Sequence, residues 1–150
     1  MKKVYDMKKF TDYFLYAAIV VAGIYLLYQK GYIFAEYPSI SAKEAHNMIQ
    51  KYDANTTILD VRTLQEYNLD GHLSEAVLIP IEQLSSKLDM FSPYKETKII
   101  IYCRSGNRSV TAARILSEQG YHVYNLEGGI NAWKRAHLPV ETIRLRRPLR

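Results

Sequence analysis

Between Lys9 and Lys30 the chain carries a single charge, Asp12 at the edge of the run, and residues 13–28 are sixteen consecutive uncharged positions. A helix on the surface of a soluble fold keeps a polar stripe for water, and this run has none, so the pattern predicts a membrane-spanning helix. A span needs about 17–25 residues, which the run reaches when Gln29 and Lys30 snorkel and the following Gly-Tyr-Ile-Phe extends it, giving an anchor over residues 13–34. Tyr13 and Tyr16 at one end, and Tyr25, Tyr28 and Tyr32 at the other, suit the two interfaces. Beyond Tyr37-Pro38, read as the end of a linker because proline disfavours helix in its predecessor, the pattern changes to short alternating segments.

Those segments read in order as helices and strands. Ser41 and Glu44 form a capping box that opens a helix through Gln50, with Ala45, Met48 and Ile49 on its apolar face. Residues 57–61 are a strand ending in Asp60-Val61-Arg62, and residues 64–69 are a helical turn. Residues 76–79 are a second strand closed by Pro80, followed by a helix over 81–88 that Ser92-Pro93 breaks. The β-branched run Ile99-Ile100-Ile101-Tyr102 is a third strand. Residues 110–119 are an amphipathic helix stopped by Gly120, and residues 122–126 are a further strand, before Glu127-Gly128-Gly129 and a short helix bearing Trp133. Strands that are apolar throughout and alternate with helices predict an α/β fold whose parallel sheet is covered on both faces. The domain division is therefore an anchor and linker over 1–37, one folded domain over 38–143, and a tail over 144–150.

Charge changes the picture by where it lies. The formal net charge is +5, but residues 1–37 hold five Lys against three acids and residues 144–150 hold four Arg and no acid, so residues 38–143 carry a net −1. A folded domain with that balance lacks the basic face that nucleic-acid binding requires. Lys2, Lys3, Lys8 and Lys9 precede the apolar run while Lys30 alone follows it closely, which places the N-terminus in the cytoplasm and the domain on the outer, periplasmic or extracellular, face. A removed signal peptide would begin the same way. Its best cleavage site, Ala35 with Ile33 two residues earlier, lacks small residues at both positions, so the anchor is read as uncleaved.

Cys103 is the only cysteine, which excludes an internal disulfide and multi-cysteine metal motifs. The scattered His46, His122 and His137 suggest no metal site, and no cofactor is expected. The thiol stands at the end of the Ile99–Tyr102 run, at the start of the loop Cys103-Arg104-Ser105-Gly106-Asn107-Arg108-Ser109 and opposite a helix N-terminus. Backbone N–H groups of such a loop and the positive end of the helix converge on one spot and stabilise an anion, here a thiolate or a bound substrate. Arg104 and Arg108 flank the sulfur, with Arg108 nearer the helix start. Gly106 is expected at positive φ where the loop turns, and Ser105 and Asn107 shape it.

Three motifs resemble those of the rhodanese-like domains, single-domain sulfurtransferases, over residues 38–141. They are Asp60-Val61-Arg62 with Glu66-Tyr67 and Gly71-His72-Leu73; the loop from Cys103 to Ser109; and Gly120-Tyr121 through Leu126-Glu127-Gly128-Gly129-Ile130 to Trp133. The resemblance implies a three-layer sandwich, a five-stranded parallel sheet between helices, with Cys103 as nucleophile and the loop Arg104, Ser105, Gly106, Asn107 and Arg108 binding a small anionic sulfur donor. Its members usually have Gly-Ala after the His-Leu pair, and Glu75-Ala76 stands there instead, at a structural turn away from the site. The implied chemistry is transfer of sulfane sulfur from a thiosulfate-like donor to cyanide or a thiol through a persulfide on Cys103. The alternatives are a non-catalytic or carrier-type persulfide module tethered to the membrane and a cysteine phosphatase. A phosphatase needs five residues between cysteine and arginine, whereas four separate Cys103 from Arg108. His72 reads as structural in its turn, and Asp60, Arg62 and Glu66 as one architectural ion network.

Overall fold

The computed structural model describes residues 2–29, 37–51 and 55–142, which fall in two units, Met1–Ala35 and Glu36–Arg150. Within the first, α1 (Lys2–Gln29) is a continuous helix. Its segment Lys9–Tyr28 is long and apolar enough to cross a membrane. Phe10, Phe14, Leu15, Ile19, Val20, Val21, Leu26 and the tyrosines between them are all exposed, so apolar side chains surround the axis without a polar stripe. The expected extension over residues 30–34 lies outside the described residues, as does the tail 144–150.

The second unit runs β1 (Ser39–Ile40), α2 (Ala42–Lys51), β2 (Thr56–Asp60), α3 (Leu64–Asp70), β3 (Val77–Leu78), α4 (Ile81–Leu84), a 3-10 segment (Ser85–Tyr94), β4 (Lys98–Tyr102), α5 (Asn107–Glu118), β5 (His122–Leu126) and α6 (Gly129–Arg135). All strand pairs are parallel and the order is β1-β5-β4-β2-β3. β4 is central, pairing Ile100 with Ile58 of β2 and with Tyr124 of β5, and its Ile99, Ile100, Ile101 and Tyr102 are fully buried. Strand side chains alternate between faces. Ile58, Ile100, Tyr102 and Leu126 meet Ala42 and Ala45 of α2 and Ile130 and Trp133 of α6 on one face. α5 covers β4 and β5 on the other, buried through Ser109, Val110, Ala112, Ala113 and Leu116, with α4 beside it. The fold is the three-layer rhodanese-like sandwich, with β4 delivering the chain to the carboxyl edge of the sheet, where parallel α/β folds place ligands.

The expected Ser41–Glu44 capping box is present, with the Ser41 N–H donating to Glu44 Oε2 at 2.8 Å and the Glu44 N–H to Ser41 Oγ at 3.3 Å. Several expectations are corrected. α5 begins at Asn107, not residue 110, because Gly106, at φ +101°, turns the chain directly into the helix. The helix expected over 81–88 ends at Leu84 and continues as tight 3-10 turns through Pro93. Ser86 Oγ donates to the Gln83 carbonyl at 2.9 Å, a local bond that competes with α-helical continuation. Tyr37, read as linker, belongs to the core at 6% exposure, its hydroxyl donating to the Val110 carbonyl at 3.1 Å. Glu75, at the position where the resemblance implies glycine, adopts φ +58°, the left-handed region that disfavours a side chain.

Candidate active site

Cys103 follows the last residue of β4, and its carbonyl is held from behind. The Ile130 N–H donates to the Cys103 carbonyl at 2.9 Å and the Asn131 N–H to the Arg104 carbonyl at 3.2 Å. These are first-turn amides of α6, groups that a helix leaves without internal partners. By drawing the two carbonyls backward they leave the loop amides free to turn inward. The approach is close: a Cβ on Gly129, whose φ is +56°, would lie 2.3 Å from the Cys103 carbonyl oxygen and 2.8 Å from the Arg104 carbonyl carbon. Only glycine fits there.

Within the loop the Gly106 N–H donates to Cys103 Sγ at 3.1 Å. Cys103 is 1% exposed, with its sulfur against the Gly106 amide of its own loop. No side chain caps α5, which leaves its first amides without a side-chain partner at the end of the loop. Behind the helix start, Ser109 Oγ lies 2.7 Å from Asn125 Oδ1 and 3.0 Å from the Gly106 carbonyl, while Asn125 Nδ2 donates to Ser39 Oγ at 3.1 Å. This buried chain of polar groups ties β1, β5 and α5 to the loop. Arg104, Ser105 and Asn107 are exposed around the rim, Gly106 is buried, and Arg108 is half-buried.

The loop therefore brings together every residue expected of it, but Arg108 has a partner that sequence reasoning assigned elsewhere. Its Nη1 and Nη2 donate to Glu66 Oε2 and Oε1 at 2.8 and 2.6 Å. The same carboxylate closes a capping box on α3, accepting from the Thr63 N–H at 3.1 Å. The Arg108 hydrogen bond holds the Glu66 carboxyl down at about 2, against the opposing effect of burial. Arg108 is raised in turn, first by that hydrogen bond and further by the nearby Cys103 sulfur. The spacing Thr63-x-x-Glu66 is a readable cap, but its bond to a residue 42 positions later has no local signal.

The Glu66 carboxylate is thus separate from the buried pair with which it was grouped, and only the Glu66 backbone carbonyl accepts from Arg62 Nη1, at 3.5 Å. Arg62 and Asp60, both fully buried, meet at 2.7 Å, and Arg62 Nη2 also donates to the Gly71 carbonyl at 2.8 Å. Tyr102 completes this network: its hydroxyl accepts the Leu73 N–H at 3.2 Å, and burial next to Asp60 raises its pKa far above the usual phenol range. The network locks the end of β2 and Tyr102 at the end of β4, one residue before the cysteine, against the turn at Gly71. His72 is structural as expected: buried, stacked on Tyr67 at 3.8 Å, with Nδ1 3.1 Å from the Leu73 carbonyl.

Residues 41–136 match the protein family described as the rhodanese-like domain. The chain belongs to the rhodanese-like family. Among its relatives, a sulfurtransferase of Allochromatium vinosum is 38% identical over 84 residues, covering 55% of this chain and 76% of that protein. A tRNA uridine(34) hydroxylase of Buchnera aphidicola is 34% identical over 101 residues, covering 64% of this chain. The chain spans only 31% of that hydroxylase's length. Among solved structures, a rhodanese-related protein from Thermoplasma volcanium superimposes with a TM-score of 0.63 at 32% identity, over 70% of this chain and 98% of its own.

Proposed function

We propose that this rhodanese-like domain transfers sulfane sulfur from a thiosulfate-like donor to cyanide or a thiol through a persulfide on Cys103. The observation that carries the reading is the amide-lined loop around a lone sulfur, with the Gly106 N–H already bonded to it at 3.1 Å. The Cys103 thiolate attacks the outer sulfur of thiosulfate, a new S–S bond forms, and the donor's S–S bond breaks with its electron pair leaving on sulfite. The acceptor then attacks the outer persulfide sulfur. Cyanide leaves as thiocyanate, and the bonding pair returns to Cys103 as thiolate. The amides of residues 104–108, with Arg104, Arg108 and the rim side chains of Ser105 and Asn107, hold the donor oxygens. A small anion suits this cradle better than tRNA does, because residues 38–143 carry a net −1.

Steady formation of thiocyanate from thiosulfate and cyanide, abolished in Cys103→Ser, is the expected result. A single equivalent transferred without turnover would make the domain a persulfide carrier, and no transfer at all would refute the reading. We further place α1 across a membrane with the domain outside, supported by the four lysines before the apolar run. A membrane-impermeant thiol reagent should label Cys103 in intact cells, whereas labelling only after lysis would reverse the orientation.

A further inference from the structure

Sulfur transfer as described above gives Glu66 no task, yet its carboxylate is fixed at the loop by four bonds. Oε1 accepts from Arg108, and Oε2 accepts from Arg108, the Thr63 N–H and the Thr63 hydroxyl, the last at 3.2 Å. Both terminal nitrogens of Arg108 are thereby engaged, and the pair is electrically neutral as a unit. Arg104, the residue after the cysteine, is exposed, and neither of the two ion pairs among the described residues includes it. The two arginines of the loop consequently differ: Arg104 has no carboxylate partner among the ion pairs, while the charge of Arg108 beside the Cys103 sulfur is offset by Glu66.

We infer that Glu66 sets the charge selectivity of the Cys103 pocket, by holding Arg108 in place and offsetting its charge, so that Arg108 meets the donor oxygens as a fixed hydrogen-bond donor within a neutral pair. Glu66 is a positioning residue acting through Arg108. The consequence is a pocket that favours the second charge of thiosulfate less than one with an unpaired Arg108 would, so that singly charged donors such as an alkanethiosulfonate or a hydropersulfide anion compete with it. Glu66 lies one side chain away from the reacting atoms, beyond Arg108, and at such a remove the loss of one negative charge, at a dielectric between that of a protein surface and water, changes the preference for one extra substrate charge by about three- to ten-fold. This assignment rests on the sulfur-transfer reading for its substrates, but its electrostatic content does not need turnover.

Because Cys103 is the only thiol, alkylation reads the pocket directly. The full chain in neutral-detergent micelles is treated with iodoacetate, an anion, and iodoacetamide, its neutral counterpart, and the ratio of the two rates is taken. The ratio cancels changes in thiolate content or access that affect both reagents. Glu66→Gln should raise the ratio about three- to ten-fold, Glu66→Asp should leave it within two-fold, and Arg104→Ala should lower it by a similar three- to ten-fold factor. An unchanged ratio in folded Glu66→Gln overturns the inference. If that variant does not fold, an unchanged ratio in Arg104→Ala overturns it equally. With sulfur donors, Glu66→Gln should shift relative kcat/KM toward thiosulfate over methanethiosulfonate by the same factor. A wild type that turns over neither donor but shows the alkylation shift would refute the proposed function and leave the role of Glu66 standing.

Discussion

Replacing Gly129 by alanine tests the claim that α6 holds the cysteine loop from behind. At φ +56° an alanine costs about 1–2 kcal/mol for conformation alone. The added Cβ would sit 2.3 Å from the Cys103 carbonyl oxygen and 2.8 Å from the Arg104 carbonyl carbon, both backbone atoms, so the loop itself must retreat. That movement disrupts the bonds from Ile130 and Asn131 to the same two residues, worth about 1 kcal/mol each. The expected loss is about 3–4 kcal/mol, which lowers the melting temperature of a domain this size by about 12–30 °C. Gly120 is the internal control: its φ is +80°, but a Cβ there meets nothing within 4 Å, so Gly120→Ala should cost only the conformational 1–2 kcal/mol, about half as much. Thermal or urea unfolding of both variants, with the Cys103 alkylation rate in parallel, measures the comparison. Gly129→Ala as stable as Gly120→Ala and with unchanged thiol reactivity would refute the clamp.

Asp60→Ala strands the fully buried Arg62 guanidinium and should cost about 3–5 kcal/mol in urea unfolding, whereas replacing both residues by apolar ones of similar volume should recover much of that loss. Glu75→Gly relieves a left-handed backbone at an exposed position, and after the extra chain entropy of glycine it should stabilise the domain by about 0.5–1 kcal/mol. The Glu66 carboxyl, ordinarily near 4.5, is held at about 2 in the folded chain, so its contribution is complete above about pH 4.5 and is lost as pH falls toward 2. Unscreened, that displacement is about 3 kcal/mol. Solvent reaches Glu66 and Arg108, 19% and 32% exposed, which reduces it to about 1–2 kcal/mol. Glu66→Gln should thus be less stable than wild type by that amount at pH 7, and the gap should close as pH approaches 2.

What was legible along the chain was what neighbouring residues encode. The Ile99–Tyr102 run, the loop after it and the Ser41 cap each carry their own pattern, and each forms where expected. β1 was not readable, because its two residues become a strand only by pairing Ser39 and Ile40 with Asn125 and Leu126 of β5. The turn from α4 into 3-10 geometry depends on burying Leu84 and Phe91 on one side of a segment that contains Pro93. At the site, the order of loop residues was clear but their partners were not. Glu66 meets Arg108 across 42 residues, and Gly129 approaches Cys103 with all of α5 and β5 between them in the chain. Such long-range contacts decide how the loop is aimed, and periodicity has no means of recording them.

The most direct test of the account is the intact mass of the full chain after thiosulfate treatment and removal of excess reagent. The account predicts a gain of one sulfur atom, localised to Cys103, released by cyanide and absent in Cys103→Ser. An unmodified wild type, or a sulfur gain that persists in Cys103→Ser, would contradict it.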